Sequence, residues 1–448
     1  MAVDLDSFES ISAKAWKQKI QVDLKGEEYK SLLWQTLEGI TVKPFYHFDE
    51  DNTILPVQNP ENWQIAQHIF IADEKIANKI ALETIKGGVE TITFTANKPF
   101  DIEKVLKTIS INSLNFKLHF LDVAFISKLL HYNANFTVQI DPIGQLMQEG
   151  NWFENKETDF KQLNKLLKAF PNRKIITIAN TVVQEAGGNI NQQIAYALAH
   201  ANEYLNAFGG ETASQITFEF ATSYNYFFEI AKIGAFRYLW KELQETYKVK
   251  PVKVIVNATP SKRNKTLYDY NVNMLRTTNE SMSAVLGGAD IVHNLPYDAV
   301  YHKSNSFGER IARNQLLILK KESGFETLDA VRGAYYIESI RLALAEKALL
   351  IFKSIEKGGG FLQLVFNGTI QRKIKESAAK EQALFDNGEL VLIGSNVLPN
   401  ADDSMKNDLE LYPFVKQNPR KTLIEPIIPK RLAEKLEKKR LEAEKSLK

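Results

Sequence analysis

The sequence predicts an α/β fold in which eight strand–helix units close into a (β/α)8 TIM barrel, with an N-terminal wrapping extension and a helical C-terminal tail. Short β-branched runs alternate with longer helical stretches through the middle of the chain. Several runs, such as KIITIA and VKVIVN, are almost wholly apolar, as strands covered by helices on both faces are. Repeated strand–helix units imply parallel strands, and eight of them suggest a closed barrel. A doubly wound open sheet is the alternative, because no single sequence pattern enforces closure.

The predicted elements alternate in chain order. The eight strands are Ile65–Ile71, Thr91–Ala96, Lys117–Leu121, Phe136–Ile140, Lys174–Ala179, Gln215–Phe220, Val252–Asn257 and Asp290–His293. The helices between them are Glu74–Lys86, Phe160–Phe170, Asn191–Phe208, Tyr224–Tyr247 and Tyr268–Leu286. Beyond Ser339 the chain is again predicted to be helical, through RLALAEKALLIFKSIEK and TIQRKIKESAAKEQALFDNG.

The two ends of the chain flank a barrel unit at 61–400. Residues 1–60 form an N-terminal extension with an amphipathic stretch and an extended stretch, and we expect it to contact a partner chain. Residues 401–429 hold four prolines and few apolar clusters, which predicts a linker. Residues 430–448 predict a highly charged helix with leucines at helical spacing. This helix is either a solvated surface helix or a docking helix for a partner.

Composition excludes several classes of function. The 448 residues contain no cysteine, which excludes a thiolate nucleophile, a cysteine-ligated metal centre and a disulfide framework. The net charge is +2, which gives no overall attraction to nucleic acid or to an anionic membrane. No apolar run approaches the ~20 residues of a membrane span, and the N-terminus lacks the plan of a signal peptide. A cytoplasmic protein without nucleic-acid or membrane partners is expected.

The sequence carries no recognisable catalytic motif. It lacks GxxxxGK[ST], HExxH, GxSxG and GxGxxG, and its carboxylates are scattered without a spacing that nominates an acid–base pair. Structural roles are expected for the seven histidines, none of which lies at metal-ligand spacing: His47, His68, His119, His131, His200, His293 and His302. From the residues alone we therefore predict no catalytic, cofactor-binding or metal-ligating residue.

Several segments, in order from about residue 33 to residue 398, resemble the methylmalonyl-CoA mutase family. LLWQTLEGITVKPFY is similar to the family's W-x-T-x-EGI-x-x-KPLY stretch, and NWQIAQHIF to PWTIRQYAGF. TVVQEAGGN resembles YHMQEAGA, and EIAKIGAFRYLW resembles EIAKxRAxRRLW. MLRTTNESMSAVLGGADIVHNLPYD, GERIARNQLLILKKESGF and GAYYIES resemble VRTTxEAMAAxLGGxQSLHTNSxD, RLARNTQxILxEESG and GGSYYVE.

The resemblance implies a barrel that isomerises acyl-CoA thioesters by radicals from adenosylcobalamin, but substrate-contacting positions differ. Thr181 and Val182 stand where the family has the Tyr and His that touch the substrate. Ala66 and His68 replace an Arg and a substrate-facing Tyr, and Gly234 replaces the Arg that meets coenzyme A. Valine offers the thioester oxygen no hydrogen bond, and losing one oxyanion donor costs ~3–4 kcal/mol.

A few family positions are kept. Arg237 remains from an Arg pair whose other member is Tyr238, and Ser261 and Thr266 are kept in ATPSKRNKT. His293 matches a family His, and we interpret it as structural because the groups that would share a substrate with it are gone. The acidic stretch FDEDNTILPVQNPE stands where the family has a loop that embraces the acyl-CoA. The carboxylates of this stretch would repel phosphate.

This pattern resembles the small, non-catalytic type of subunit in the family, including its D-P-[IL]-G stretch at DPIGQL. The resemblance implies a heterodimer with a large catalytic subunit, in which the large subunit carries adenosylcobalamin and isomerises succinyl-CoA and methylmalonyl-CoA in propionate metabolism. No cofactor is expected on this chain, because the cobalt-ligating DxHxxG motif occurs nowhere in it and no cobalamin-binding domain is predicted.

Two alternatives stay open. The chain could be a stand-alone TIM-barrel enzyme or a binding protein for a different acyl-CoA or small ligand, held by Arg237, Lys262 and Arg263. It could also be a homo-oligomer with a scaffolding role, and a homodimer is conceivable when the chain is isolated.

Overall fold

The structure is a computed structural model that describes residues 9–50, 53–57, 59–110, 113–325, 330–416 and 419–446. Within these ranges the strands are β1 (Trp34–Gln35), β2 (Thr41–Val42), β3 (Gln64–Phe70), β4 (Thr91–Ala96), β5 (Ser113–Leu118), β6 (Phe136–Gln139), β7 (Ile176–Ala179), β8 (Ile216–Thr222), β9 (Val256–Pro260) and β10 (Ile291–His293).

The same ranges contain α-helices between and around the strands. They are α1 (Ala13–Asp23), α2 (Glu74–Lys86), α3 (Ile102–Leu106), α4 (Val123–Tyr132), α5 (Pro142–Glu149), α6 (Lys156–Ala169), α7 (Thr181–Glu185), α8 (Ile190–Phe208), α9 (Tyr226–Thr246), α10 (Val272–Gly287), α11 (Ser306–Leu317), α12 (Tyr335–Lys357), α13 (Phe361–Phe366), α14 (Thr369–Asp386) and α15 (Glu434–Ser446). No helix in the described ranges is long and apolar enough to cross a membrane.

Eight parallel strands form the predicted barrel. Their hydrogen-bonded order is β6-β5-β4-β3-β10-β9-β8-β7. The two ends of this order meet, because Ile140 bridges Ile176 in parallel and the Val138 N–H donates to the Lys174 carbonyl over 3.1 Å. These contacts close the sheet, so the (β/α)8 prediction is confirmed and the doubly wound alternative is excluded.

Two strand predictions are displaced by four residues. The third strand begins at Ser113 instead of Lys117, and the seventh begins at Val256 instead of Val252. The Val252 N–H instead donates to Gln244 Oε1 over 2.9 Å, so this apolar stretch reaches the barrel along α9 before pairing starts. The remaining six strands begin or end within two residues of their predicted bounds.

An aspartate begins the helix after each of four consecutive barrel strands. Asp73, Asp101, Asp122 and Asp141 follow β3 to β6, and each side chain accepts a backbone N–H from the first turn of the next helix. A cap of this type contributes ~1 kcal/mol and fixes where the helix starts. These caps hold the carboxyl ends of the strands, where barrel enzymes carry their sites, in defined positions.

Asp141 has further partners within the DPIG segment. Its carboxylate accepts from Gly144 N–H, from Tyr204 Oη and from Ala179 N–H, and it lies 2.9 Å from His200 Nε2. Burial alone would raise the pKa of this carboxyl, but His200 and the hydrogen bonds outweigh burial and lower it. A Cβ on Gly144 would lie 2.3 Å from the carboxylate, so the turn requires glycine there.

The N-terminal extension, called the arm below, comprises the described residues up to 60, and its first helix, α1, lies almost entirely exposed. Helix α1 has no buried residue, and its main aromatic contact is the stack of Trp16 on Phe45, with ring centroids 4.7 Å apart. Strands β1 and β2 pair antiparallel, and Trp34 meets Phe228 of α9 edge to face. The arm thus joins the barrel at β1 while α1 stays on the outside.

The stretch predicted as a linker packs along the barrel. Met405, Phe414, Ile424 and Ile427 are buried, and the Ile427 N–H donates to the Met147 carbonyl over 2.8 Å. The four prolines of 401–429 suit this irregular extended path, because proline supplies no N–H that would need a partner.

The charged C-terminal helix has one face against the barrel. Arg431 and Glu437 are buried and lie 2.5 Å apart, and the Leu267 N–H donates to Glu437 Oε1 over 2.7 Å. Leu432 and Leu441 are buried beside them. Helix α15 therefore docks on the connection between β9 and α10 of its own chain. It is neither fully solvated nor left free on all sides for a partner.

Candidate functional site

The bore of the barrel is lined by polar side chains, whereas most barrels of this class are filled by branched aliphatic residues. Side chains alternate along a strand, so every second residue faces the bore. The Thr91 hydroxyl donates to Gln64 Oε1 over 2.6 Å, and the Thr177 and Thr217 hydroxyls lie 2.6 Å apart. Alternation from these pairs gives a bore-facing set that includes Gln64, Ala66, His68, Thr91, Thr93, Thr95, Asn115, Lys117, Gln139, Thr177, Ala179, Thr217, Glu219, Ala221, Asn257, Thr259 and His293.

An ion pair crosses the bore between β5 and β8. Lys117 Nζ lies 2.7 Å from Glu219 Oε2, and the Glu219 side chain is 9% exposed. The contact neutralises both groups, which burial requires. The sequence analysis missed both residues. A single charge inside an apolar strand, as in NFKLHF and TFEFAT, is the signal that could have identified them.

Two histidines stack in the bore beside this pair. The rings of His68 and His293 have centroids 3.9 Å apart, and His293 Nε2 lies 3.5 Å from the Thr93 hydroxyl. The His68 side chain is exposed to the cavity, yet the surrounding barrel, and then the charges of Lys117 and Lys262, lower its pKa to about 3. Burial, and then His68, hold the pKa of His293 well below its usual range. Both imidazoles are therefore neutral at physiological pH.

Three buried polar atoms around the bore have no hydrogen-bond partner among the residues that the structure describes. They are Gln139 Oε1, Asn257 Oδ1 and His293 Nδ1. Buried polar atoms are nearly always paired, and orphans mark places where water or a ligand completes the structure. A space of about 30 Å³ beside Gln139, Lys117 and Glu219 has room for a single water.

A larger cavity of about 590 Å³ opens at the carboxyl ends of the strands. Its volume lies in the range of small-molecule sites, and its position is where barrel enzymes bind ligands. Its polar wall includes His68, Thr95, Lys117, Thr181, Glu185, Glu219, Thr259, Lys262, Asn294, Asp298, His302, Lys303, Ser304 and Glu309. Its apolar wall includes Ile69, Phe70, Ile80, Ala221, Pro260, Leu295, Pro296, Ala299 and Leu411.

The positions that the resemblance connects with substrate do not converge on this cavity. His68 and Thr181 line it, but Ala66 and Val182 are buried and do not. Gly234 lies on α9, where an added Cβ would come 2.4 Å from Arg341 Nε on α12. The side chain of Arg341, paired with Glu338, occupies that space.

Only one of the three cations named for a stand-alone ligand faces the cavity. Arg237 donates to the carbonyls of Val254 and Gly288 and lies 2.5 Å from Asp290 Oδ2. Arg263 binds Glu381 and the Lys430 carbonyl. Both arginines thus serve the fold, whereas Lys262 lines the cavity without an ion-pair partner in the described part of the chain.

Ser261 and Thr266, the two other positions at which this chain keeps the family's residue, also contribute to packing. The Ser261 hydroxyl donates to Gln184 Oε1 over 2.5 Å, which ties the β9 loop to α7. The Thr266 hydroxyl accepts from Arg276 over 2.9 Å. Neither residue lines the cavity.

A second cavity of about 410 Å³ lies where the arm crosses the barrel mouth. Trp34, Glu38, Tyr224 and Glu381 are part of its wall. Burial raises the pKa of Glu38, and burial and then Glu381 raise the pKa of Tyr224 well above its usual range. The cavity is a seam between the arm, α8 and α14, and no Lys or Arg of the described residues lines it. Across the described ranges, no group of three or more His, Asp or Glu side chains is placed to hold a metal ion.

Comparison with known proteins identifies the relatives of this chain. A family model described as methylmalonyl-CoA mutase matches residues 99–438. The methylmalonyl-CoA mutase small subunit of Porphyromonas gingivalis is 32% identical over an alignment of 485 positions, which covers 98% of this chain and 78% of that protein.

Longer relatives match less of their own length. A methylmalonyl-CoA mutase of Cereibacter sphaeroides is 29% identical over 85% of this chain, and a methylmalonyl-CoA mutase large subunit of Streptomyces virginiae is 24% identical over 86%. The chain spans 64% and 62% of these two proteins, which is less than two thirds of either.

Proposed function

The chain belongs to the methylmalonyl-CoA mutase family, and from that premise we propose that it is a non-catalytic small subunit that pairs with a large catalytic subunit and stabilises it. The observation that carries the proposal is the alignment of a protein named as a small subunit with 98% of this chain. In the proposed heterodimer, the large subunit interconverts succinyl-CoA and methylmalonyl-CoA in propionate metabolism.

The side chains at the family's substrate positions support a non-catalytic role. Val182 is buried and offers no hydrogen bond, and Ala66 offers none either. The Arg341 side chain, paired with Glu338, fills the space beside Gly234. A barrel that lacks these polar groups loses several kcal/mol of transition-state stabilisation, since one oxyanion donor alone contributes ~3–4 kcal/mol.

Adenosylcobalamin has no proposed site on this chain. No histidine of this sequence stands in the DxHxxG motif that carries the family's cobalt ligand, and the one that faces the cavity floor, His68, is stacked on His293. We therefore assign the cofactor to the large subunit.

The arm is the proposed contact surface for the large subunit. Helix α1 buries none of its residues, and three large apolar side chains on or beside it are exposed: Ile11, Trp16 and Val22. Leu32 and Trp34 continue this exposed apolar surface along the arm. A short helix whose apolar side chains stay largely exposed is marginal in water, and docking on another chain would stabilise it.

The test is co-expression with the large mutase subunit of the same organism. A Val22→Asp variant places a charge on a side chain that is 72% exposed, so the isolated chain is expected to fold unchanged. We expect this variant to lose pull-down of the large subunit, together with the yield of active mutase. The matched control is Leu350→Asp on α12, where the side chain is 67% exposed. If deleting this chain changes neither the amount nor the activity of the large subunit, the proposal is wrong.

The cavity favours a second candidate function, a binding protein for a different acyl-CoA or other small ligand. Its volume of about 590 Å³ and its mixed polar and apolar wall are typical of such sites. Ligand binding by the purified chain without any partner distinguishes this candidate from a purely stabilising role.

A further inference from the structure

The large cavity has an ion pair on its floor, and its exit carries an apolar patch (Phe70, Ile80, Leu295 and Leu411) beside polar side chains such as His302 and Lys303. Lys117 and Glu219 on the floor neutralise each other across 2.7 Å. Lys262, which lies on the loop after β9, is close enough to His68 for its charge to lower the pKa of that ring. Among the described residues, Lys262 has no carboxylate within ion-pair distance, so its positive charge is available on the cavity wall.

The apolar patch at the exit adjoins His68 along β3. Because side chains repeat every two residues along a strand, His68 and Phe70 face the same side of β3, with Cα atoms about 7 Å apart. Phe70 and Ile80 are both exposed, yet both line the cavity together with Leu295 and Leu411. Apolar side chains that border a cavity beside an unpaired lysine fit a ligand with an anionic head and an apolar body.

The charges around Lys262 decide which anion fits. Glu185, Asp298 and Glu309 share the wall with a second lysine, Lys303, and among the described residues no arginine lines it. A phosphate dianion binds best to several cationic donors or to an arginine fork, and these carboxylates would repel it. A monoanion needs only one lysine, with neutral hydrogen-bond donors beside it. The neutral ring of His68 and the hydroxyls of Thr181 and Thr259 are such donors.

We propose that this cavity binds a medium-chain aliphatic carboxylate, with its carboxylate at Lys262 and His68 and its chain against Phe70 and Ile80. The carboxylate would form a charge-assisted hydrogen bond with Lys262 Nζ and accept a second one from the imidazole. The chain would cover the two exposed apolar side chains at the exit. Binding requires no partner subunit, no coenzyme A and no cofactor, so it stands apart from the proposed subunit role.

The test is calorimetric titration of the purified full chain with octanoate. We expect octanoate to bind more tightly than butyrate, because the longer chain buries more apolar surface, and more tightly than 1-octanol, which lacks the charge. Lys262→Met keeps the apolar stem and removes the charge, and it should weaken octanoate binding about 10- to 100-fold. Lys262→Arg should retain binding, and Lys250→Met, an exposed lysine that does not line the cavity, should leave it unchanged.

A second readout reports on the position of the head group. Bound carboxylate beside His68 should shift the nuclear magnetic resonance signals of that imidazole, which are identified by their loss in His68→Gln. Circular dichroism and thermal melting check that each variant is folded. The proposal is overturned if octanoate does not bind the wild-type chain, if Lys262→Met binds it equally well, or if 1-octanol binds as tightly as octanoate.

Discussion

Replacing Glu437 with glutamine tests whether the C-terminal helix is part of the folded barrel. The Arg431 and Glu437 side chains are 8% and 3% exposed, so the substitution leaves a buried guanidinium without its counter-charge. Breaking a buried pair from one side costs about 3–5 kcal/mol. Arg431 keeps the carbonyls of Pro413 and Lys265 at 3.0 and 3.1 Å, and glutamine can still accept from the Leu267 N–H. We therefore expect the lower end, about 3 kcal/mol of unfolding free energy.

The assay is urea denaturation followed by circular dichroism. Glu442→Gln removes a charge from the exposed side of the same helix and should change the unfolding free energy by less than ~0.5 kcal/mol. If Glu437→Gln and Glu442→Gln are equally stable, helix α15 does not dock as described and the reasoning fails.

Three further predictions concern the barrel itself. Glu280→Gln should lower the unfolding free energy by about 3–5 kcal/mol in urea denaturation, because it strands the buried Lys265 ammonium that lies 2.7 Å away; equal stability would contradict this. Phe218→Ala should cost about 3–5 kcal/mol in the same assay, since Phe218 is fully buried between α9 aromatics, and a loss under 1 kcal/mol would show a looser core. The pKa of His68 is about 3 in the folded chain, and its ordinary value is 6.5. Between these two pH values the imidazole binds a proton in the unfolded chain but not in the folded one. The unfolding free energy should therefore fall as the pH drops from 6.5 towards 3. Urea denaturation at successive pH values should show a smaller loss of unfolding free energy for His68→Gln than for the wild-type chain. If the two proteins lose stability in parallel, this prediction is wrong.

The fold was predictable because periodicity reports burial. Strands such as Thr91–Ala96 and helices such as Glu74–Lys86 have the bounds that their apolar patterns predict. The displaced strand near Val252 shows the limit of this reasoning. An apolar run there satisfies its backbone on Gln244 before it reaches the sheet, and no local pattern distinguishes these two uses of valine.

The candidate site was less predictable because its residues come from different strands. The ion pair between Lys117 and Glu219 spans 102 positions of the chain, and the stack of His68 on His293 spans more than twice that separation. Only the closed barrel brings them together. The resemblance identified lost groups such as the substituted Val182, but it could not identify new neighbours such as Lys262 and His68.

The tail shows the same dependence on tertiary contacts. Its charge pattern predicts a helix, which the structure confirms at Glu434–Ser446. Whether that helix is solvated or docked depends on partners elsewhere, here the Leu267 N–H and the Arg431 guanidinium. A charged residue can be buried when a counter-charge and a backbone donor meet it, and composition does not contain that information.

The most direct measurement of the proposed role compares three samples in the presence of adenosylcobalamin: this chain alone, the large mutase subunit alone, and the two mixed. Light scattering during size-exclusion chromatography gives the mass of each species, and conversion of succinyl-CoA gives its activity. We predict a one-to-one complex that is active, and no turnover by this chain alone. Turnover of succinyl-CoA by the isolated chain, or a mixture that contains only the separate subunits, would contradict the account.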